Sequence, residues 1–141
     1  MTTEYKEHST KIHRAGGIIF DDEKKYILLV LNRLSYLKSE NKWGLPKGHL
    51  MEEEYGLPHL GARREILEET GIYFPIVEND SSIVIQDTEY FITELNRKWN
   101  PVFEPKDKKE IHSAKWIPLS ELKNMNLNRG LSILLDDIEQ M

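Results

Sequence analysis

The sequence predicts an α+β chain, a layered α/β sandwich in a single domain. Three observations carry this expectation. Short runs rich in β-branched and large apolar residues lie on both sides of one well-delimited helix. Further helix signals gather near the C-terminus. No repeat, low-complexity tract or Pro/Gly/Ser linker divides the 141 residues, so the domain is expected to span 1–141.

Taken in order, residues 1–10 read as a loose polar arm. Residues 16–20 and 25–31 are strand-like and flank the charged cluster 21–24, which predicts a β-hairpin. Residues 32–41 are polar and read as a loop. Two glycines and a proline within residues 43–48 predict an extended strand bending into a loop. The clearest helix follows over 59–70, with Pro58 suited to its first turn and Gly71 to the left-handed position past its end. Residues 82–85, 89–93 and 111–117 then read as strands, and 96–109 as an exposed loop. Residues 118–122 can open a short helix, and 133–139 form a last one.

Composition removes several kinds of chemistry. With 24 acidic against 19 basic residues, the net charge of -5 argues against binding duplex nucleic acid by broad phosphate neutralisation. A local basic pocket for a small phosphorylated ligand stays open. There are no cysteines, so disulfides, thiol catalysis and thiolate metal sites are excluded. The longest apolar run, residues 26–31, is far short of the ~20 residues of a membrane span. The polar start has no apolar signal core behind it. A soluble cytoplasmic domain with no membrane partner is expected.

The chemistry concentrates in the helix. Positions 65, 68 and 69 share one face, since i, i+3 and i+4 are neighbours, so Glu65, Glu68 and Glu69 form one acidic stripe. Ala62, Ile66 and Leu67 lie on other sides and can bury against a sheet, and Arg64 can pair with Glu68 four residues on. An acidic stripe can be a solvated face. Yet like charges at this spacing cost roughly 0.2–0.5 kcal/mol, and anions in a last turn cost typically ~0.3–1 kcal/mol against the helix dipole. A bound divalent cation with oxygen ligands reverses both penalties.

Residues 48–72 resemble the Nudix box, G-x5-E-x7-R-E-U-x-E-E-x-G-U, where U is a bulky aliphatic residue. Gly48 and Glu54 match its first part, and Arg64, Glu65, Ile66, Glu68, Glu69, Gly71 and Ile72 its second. Nine residues, 55–63, stand where the pattern has seven, which leaves the place of Glu54 open while the helical half is intact. Residues 43–49, Trp-Gly-Leu-Pro-Lys-Gly-His, are similar to the W-x-x-P-K-G-H segment of diadenosine-polyphosphate hydrolases. Glu110 to Trp116 resembles the E-x5-W segment of that branch. Related segments occur in Nudix diphosphoinositol-phosphate hydrolases and mRNA-decapping enzymes.

The resemblance implies a Nudix fold, an α/β/α sandwich with a mixed sheet between helices. It also implies Mg²⁺- or Mn²⁺-dependent hydrolysis of a phosphoanhydride in a nucleoside diphosphate linked to a further group. An anionic carboxylate site can hold an anionic pyrophosphate only through bridging cations, which also lower the pKa of a bound water. By resemblance, Glu65, Glu68 and Glu69 bind metal with the Gly48 carbonyl, Glu110 reaches the same site, and Arg64 orients the carboxylates. The general base stays open between Glu65 and Glu110. Lys47 and His49 are candidate phosphate contacts, each with a solvated alternative. Trp43 can stack on a base or pack the core, and Trp116 reads as structural. Tyr90, Phe91, Trp99 and Phe103 are base-stacking candidates that spacing does not separate. His8, Thr10 and His13 read as surface residues. The expected partner is a small nucleotide polyphosphate such as a diadenosine polyphosphate. Capped or 5′-triphosphate RNA and diphosphoinositol phosphates are the alternatives within the enzyme class, and a silent nucleotide sensor is the alternative outside it.

Overall fold

A computed structural model describes residues 11–141. The expected arm and the readings of His8 and Thr10 lie outside the described residues. A seven-stranded mixed sheet forms the middle layer, with strand order β3-β2-β1-β6-β5. The strands are β1 (Arg14–Asp21), β2 (Tyr26–Asn32), β3 (Trp43–Gly44), β4 (Lys47–His49), β5 (Ser82–Ile85), β6 (Thr88–Leu95) and β7 (Ile111–Pro118). β4 pairs with β1, and β7 with β2. Only β1 and β6 run parallel, in register from Arg14↔Thr88 to Asp21↔Leu95. The other pairings are antiparallel.

β1 and β2 are apolar at consecutive positions because helices cover both sides of the sheet. Alternation along β1 and β2 then divides the core. Ile19, Leu28 and Val30 face α2 (Pro58–Thr70), meeting its Ala62 and Ile66. Ile18, Phe20, Ile27 and Leu29 face α3 (Arg129–Gln140), meeting Leu131, Leu134 and Ile138. The result is the expected α/β/α sandwich. Leu67, expected to bury with Ala62 and Ile66, is only half-buried because it lies at the flank of the stripe that meets the sheet.

Three elements differ from the sequence reading. Residues 33–37, read as loop, form a short helix α1 (Arg33–Leu37) whose N-terminus is capped by the Asn32 side chain, 2.8 Å from the Leu34 N–H. The last helix starts at Arg129 rather than 133, because Asn128 caps it by accepting from the Leu131 N–H at 3.0 Å. Residues 119–124 form a 3₁₀ turn where a short helix was expected. Among the described residues, no helix is long and apolar enough to cross a membrane.

Candidate active site

α2 places the acidic stripe at the edge of the sheet. Pro58 occupies its first turn, and Gly71 ends it in the left-handed conformation at φ +83°. The loop after β6 closes over that end. The Glu68 carbonyl accepts from the Lys106 and Asp107 N–H groups at 2.8 and 2.9 Å, and the Thr70 carbonyl accepts from Glu104 N–H at 3.2 Å. These bonds satisfy carbonyls that a helix end leaves free. They also fix the loop that delivers Glu110 to the start of β7.

Glu65 and Glu69 are both nearly buried, at 9% and 4% exposure, whereas Glu68 is more open. The Lys47 backbone N–H donates to Glu69 Oε1 at 3.2 Å. The Glu65 carboxylate lies against Gly48, where any Cβ would overlap it. A glycine is therefore required for the carboxylate and the β4 backbone to approach so closely. Burial, then the charge of Glu65, pushes the Glu69 carboxyl up to about 9. Burial pushes Glu65 up to about 7 against the pull of Arg64. Glu110 is also raised, by its partial burial and by Asp107, and its charge is felt by both Glu65 and Glu69. Two buried carboxylates facing a third is a cost that a divalent cation removes, so this all-oxygen donor set fits Mg²⁺ or Mn²⁺.

Arg64 organises the cluster. Its Nε and Nη2 each meet the Glu54 carboxylate at 2.9 Å in a two-pronged pair, and its Nη1 contacts Glu65 Oε2 at 3.0 Å and Glu68 Oε2 at 3.2 Å. Its Nη2 also donates to the His49 carbonyl at 2.9 Å. The two extra residues are taken up before the helix, in a turn through Gly56 at φ +81°. Glu54 thus keeps a partner on α2 despite the insertion, and the Arg64 hydrogen bond holds its carboxyl below the usual range. Among the described residues no three His, Asp or Glu side chains form a closed cation cage. The shared Arg64 nitrogen draws Glu65 and Glu68 to itself instead.

The remaining candidates divide. Lys47 lines a cleft of about 120 Å³ with Asn32, Lys42, Glu69, Glu110 and Asn128. The exposed His49 ring accepts from Arg14 Nε at 3.3 Å and lies near enough to Glu110 to act on its carboxyl. Trp43 packs into the α3-side core, with Lys115 Nζ 5.9 Å from its ring centroid. The Trp116 indole donates to the Asn100 carbonyl at 2.8 Å and meets Phe103 edge-on, so both are structural. Tyr90 and Phe91 are buried too deeply to stack on a base, while Trp99 is 85% exposed. His13 is exposed, as expected, and meets Tyr55 edge-on. The sequence reading missed Asn32, Lys42 and Asn128, polar residues in loop-like stretches that only the strand pairing brings beside the glutamates. A larger cavity of about 670 Å³ lies by the N-terminus of α2, lined by His13, Tyr55 and His59, away from the acidic stripe.

The NUDIX domain description matches residues 11–137. The m7GpppN-mRNA hydrolase dcap-2 of Caenorhabditis elegans is 28% identical over 132 residues, covering 86% of this chain and 15% of the relative. Nudix hydrolase 7 of Arabidopsis thaliana is 31% identical over 122 residues, covering 82% and 42% respectively. The chain therefore spans less than half the length of these relatives. Among solved structures, a C. elegans Ap4A hydrolase complex aligns with a TM-score of 0.64 at 24% identity, over 90% of this chain and 96% of that one. The NUDIX domain of Shewanella oneidensis NrtR complexed with ADP ribose aligns at 0.64 and 19% identity, over 98% and 94%. Both share the fold. From the intact helical motif and a match that runs nearly end to end, the chain belongs to the Nudix family.

Proposed function

We propose that this chain is a Mg²⁺-dependent pyrophosphohydrolase that cuts a phosphoanhydride in a nucleoside diphosphate linked to a further group, with a dinucleoside polyphosphate as substrate. The observation that carries the reading is the pair of nearly buried carboxylates, Glu65 and Glu69, pushed up to about 7 and about 9. A protein does not hold two such groups side by side for stability. They suit a cation that brings a polyanion to them.

Glu65, Glu68 and Glu69, with the Gly48 carbonyl, would hold the metal. When bound, the cation neutralises charge on the phosphates and makes a water more acidic. Arg64 positions the carboxylates through its contacts with Glu54, Glu65 and Glu68, and the Lys47 N–H orients Glu69. Glu110 would be the better base, since Arg64 engages Glu65 Oε2 whereas the Glu110 charge acts on both Glu65 and Glu69 without an arginine partner of its own among the described residues. It would accept the proton of the attacking water. Lys47 would contact a phosphate. A capped RNA end is the second reading, favoured by the likeness to dcap-2.

The test is a panel of dinucleoside polyphosphates, ADP-ribose, NADH, nucleoside triphosphates, capped RNA and diphosphoinositol phosphates with Mg²⁺, with products identified by mass. Fastest turnover of a dinucleoside tetraphosphate to two nucleotides supports the reading. Turnover of capped RNA alone transfers it to the second reading. No turnover of any member overturns it in favour of a binding domain.

A further inference from the structure

A separate cavity of about 220 Å³ shares Lys47 with the cleft beside the glutamates and is lined by Arg14, Lys47, Thr88, Tyr90, Arg129 and Gly130 among others. It has three features that a merely structural gap lacks. Arg14, Lys47 and Arg129 bring three cationic side chains to it, and the acid beside them is Asp87, 3.7 Å from Arg14. Arg129 has no ion-pair or hydrogen-bond partner for its guanidinium among the described residues. The cavity also meets the first turn of α3, whose Arg129 and Gly130 N–H groups precede the first capped donor, Leu131. Gly130 lies so close that a Cβ there would stand 3.3 Å from the Tyr90 hydroxyl and 3.7 Å from Lys47 Cε. Close approach of backbone to a ligand is one reason to keep a glycine in a helix's first turn.

Tyr90 supplies the independent sign of a ligand. The residue is only 3% exposed, yet its hydroxyl has no hydrogen-bond partner among the described residues. Its oxygen is not shut off in the core but reaches accessible space at the cavity, where a ligand can meet it. Burial also pushes its ionisation up to about 12, so the group stays an O–H donor. Backbone N–H groups, a hydroxyl donor and three cations around one small space match the oxygens of a phosphoryl group.

We propose that this cavity holds a phosphoryl group of the substrate beyond the bond that is cut, so that the chain selects polyphosphate chains longer than a diphosphate. This inference rests on the pyrophosphohydrolase reading for its substrate, but not for its binding chemistry. Lys47 joins the two sites: its N–H orients Glu69 while its side chain lines the cavity.

Inorganic tripolyphosphate is titrated calorimetrically into metal-free protein in EDTA, where no cation can bridge it to the glutamates. Wild type should bind, and Arg129→Gln and Tyr90→Phe should each weaken binding about fivefold or more, the scale of one charge-assisted or buried hydrogen bond. Lys25→Gln, an exposed charge change near the β1–β2 turn, should not alter it. Thermal unfolding checks that Tyr90→Phe keeps the fold. In the Mg²⁺ assay, Arg129→Gln should raise KM for a dinucleoside tetraphosphate about fivefold, with kcat within about twofold and no change toward ADP-ribose. Wild-type-like tripolyphosphate binding by both variants, or no binding by wild type, overturns the proposal even if hydrolysis is intact. Weakened binding in both variants with no hydrolysis of any substrate upholds the cavity and overturns the enzymatic reading instead.

Discussion

Glu69 is asked to be charged in a place that resists charge. Its Oε1 receives one hydrogen bond, from the Lys47 N–H at 3.2 Å, and its neighbours Glu65 and Glu110 are acidic. Glu69→Gln keeps the volume and removes the charge. Activity should fall on the order of a hundredfold or more, the scale of losing one preorganised electrostatic group, while metal-free stability stays equal or rises. Turnover within about threefold of wild type would remove Glu69 from the metal site. Glu110 carries a different expectation. Asp107 Oδ1 accepts from its N–H at 3.2 Å, and its carbonyl accepts from the Arg33 N–H at 2.7 Å, so the backbone is held, while burial and Asp107 raise the carboxyl's affinity for a proton. Glu110→Gln should lower kcat with little effect on KM. Glu104, exposed and paired with Lys108 at 3.0 Å, and exposed Glu94 are the controls, each expected to tolerate Gln. A near-normal kcat for Glu110→Gln, with collapse in either control, would mean that the wrong acid has been chosen.

Between residue and fold, α2 is the element that matters, and much of it was legible in the sequence. Pro58, Gly71 and the spacing of the glutamates are local signals, and each stands where it was expected. What escaped depends on distant partners. The loop after β6 looks merely exposed because its bonds to the Glu68 and Thr70 carbonyls leave no trace in residue pattern. α1 escaped because five residues carry too little periodicity, so its only mark was the Asn32 cap. Gly130 disguised the start of α3, since a glycine at that point reads as a turn. The tie between loop and helix makes Gly71→Ala informative. An alanine at φ +83° is strained, and its Cβ would strike the Glu104 carbonyl. The cost should reach at least about 1 kcal/mol in denaturant unfolding. Because the same loop carries Glu110, kcat should fall as well. A stable variant with unchanged kcat would show that the loop does not depend on this helix end.

At the scale of the whole molecule, the sheet hides apolar surface on both faces and leaves the buried glutamates at its edge, so site and stability are coupled. The coupling has a sign. In the unfolded chain a glutamate titrates near 4.5, whereas in the folded, metal-free protein Glu65 holds its proton to about 7 and Glu69 to about 9. Between these limits the folded state binds more protons than the unfolded one. Stability must therefore be greatest near the lower limit and decline as pH rises toward 9. Glu54 runs the other way, since its carboxyl is held low by Arg64 and its contribution is lost only in acid, below the usual glutamate range. The metal-free protein should thus be most stable near pH 5. Thermal unfolding in EDTA from pH 5 to 9 should show a falling Tm, with at most about 1.4 kcal/mol lost per pH unit for each proton released. Gln at position 69 imitates the protonated acid, so Glu69→Gln should match wild type at pH 5 and lose much of the decline above pH 7. A Tm that is flat or rising in wild type, or an equally steep fall in the variant, would show that these carboxylates do not carry the burial cost assigned to them.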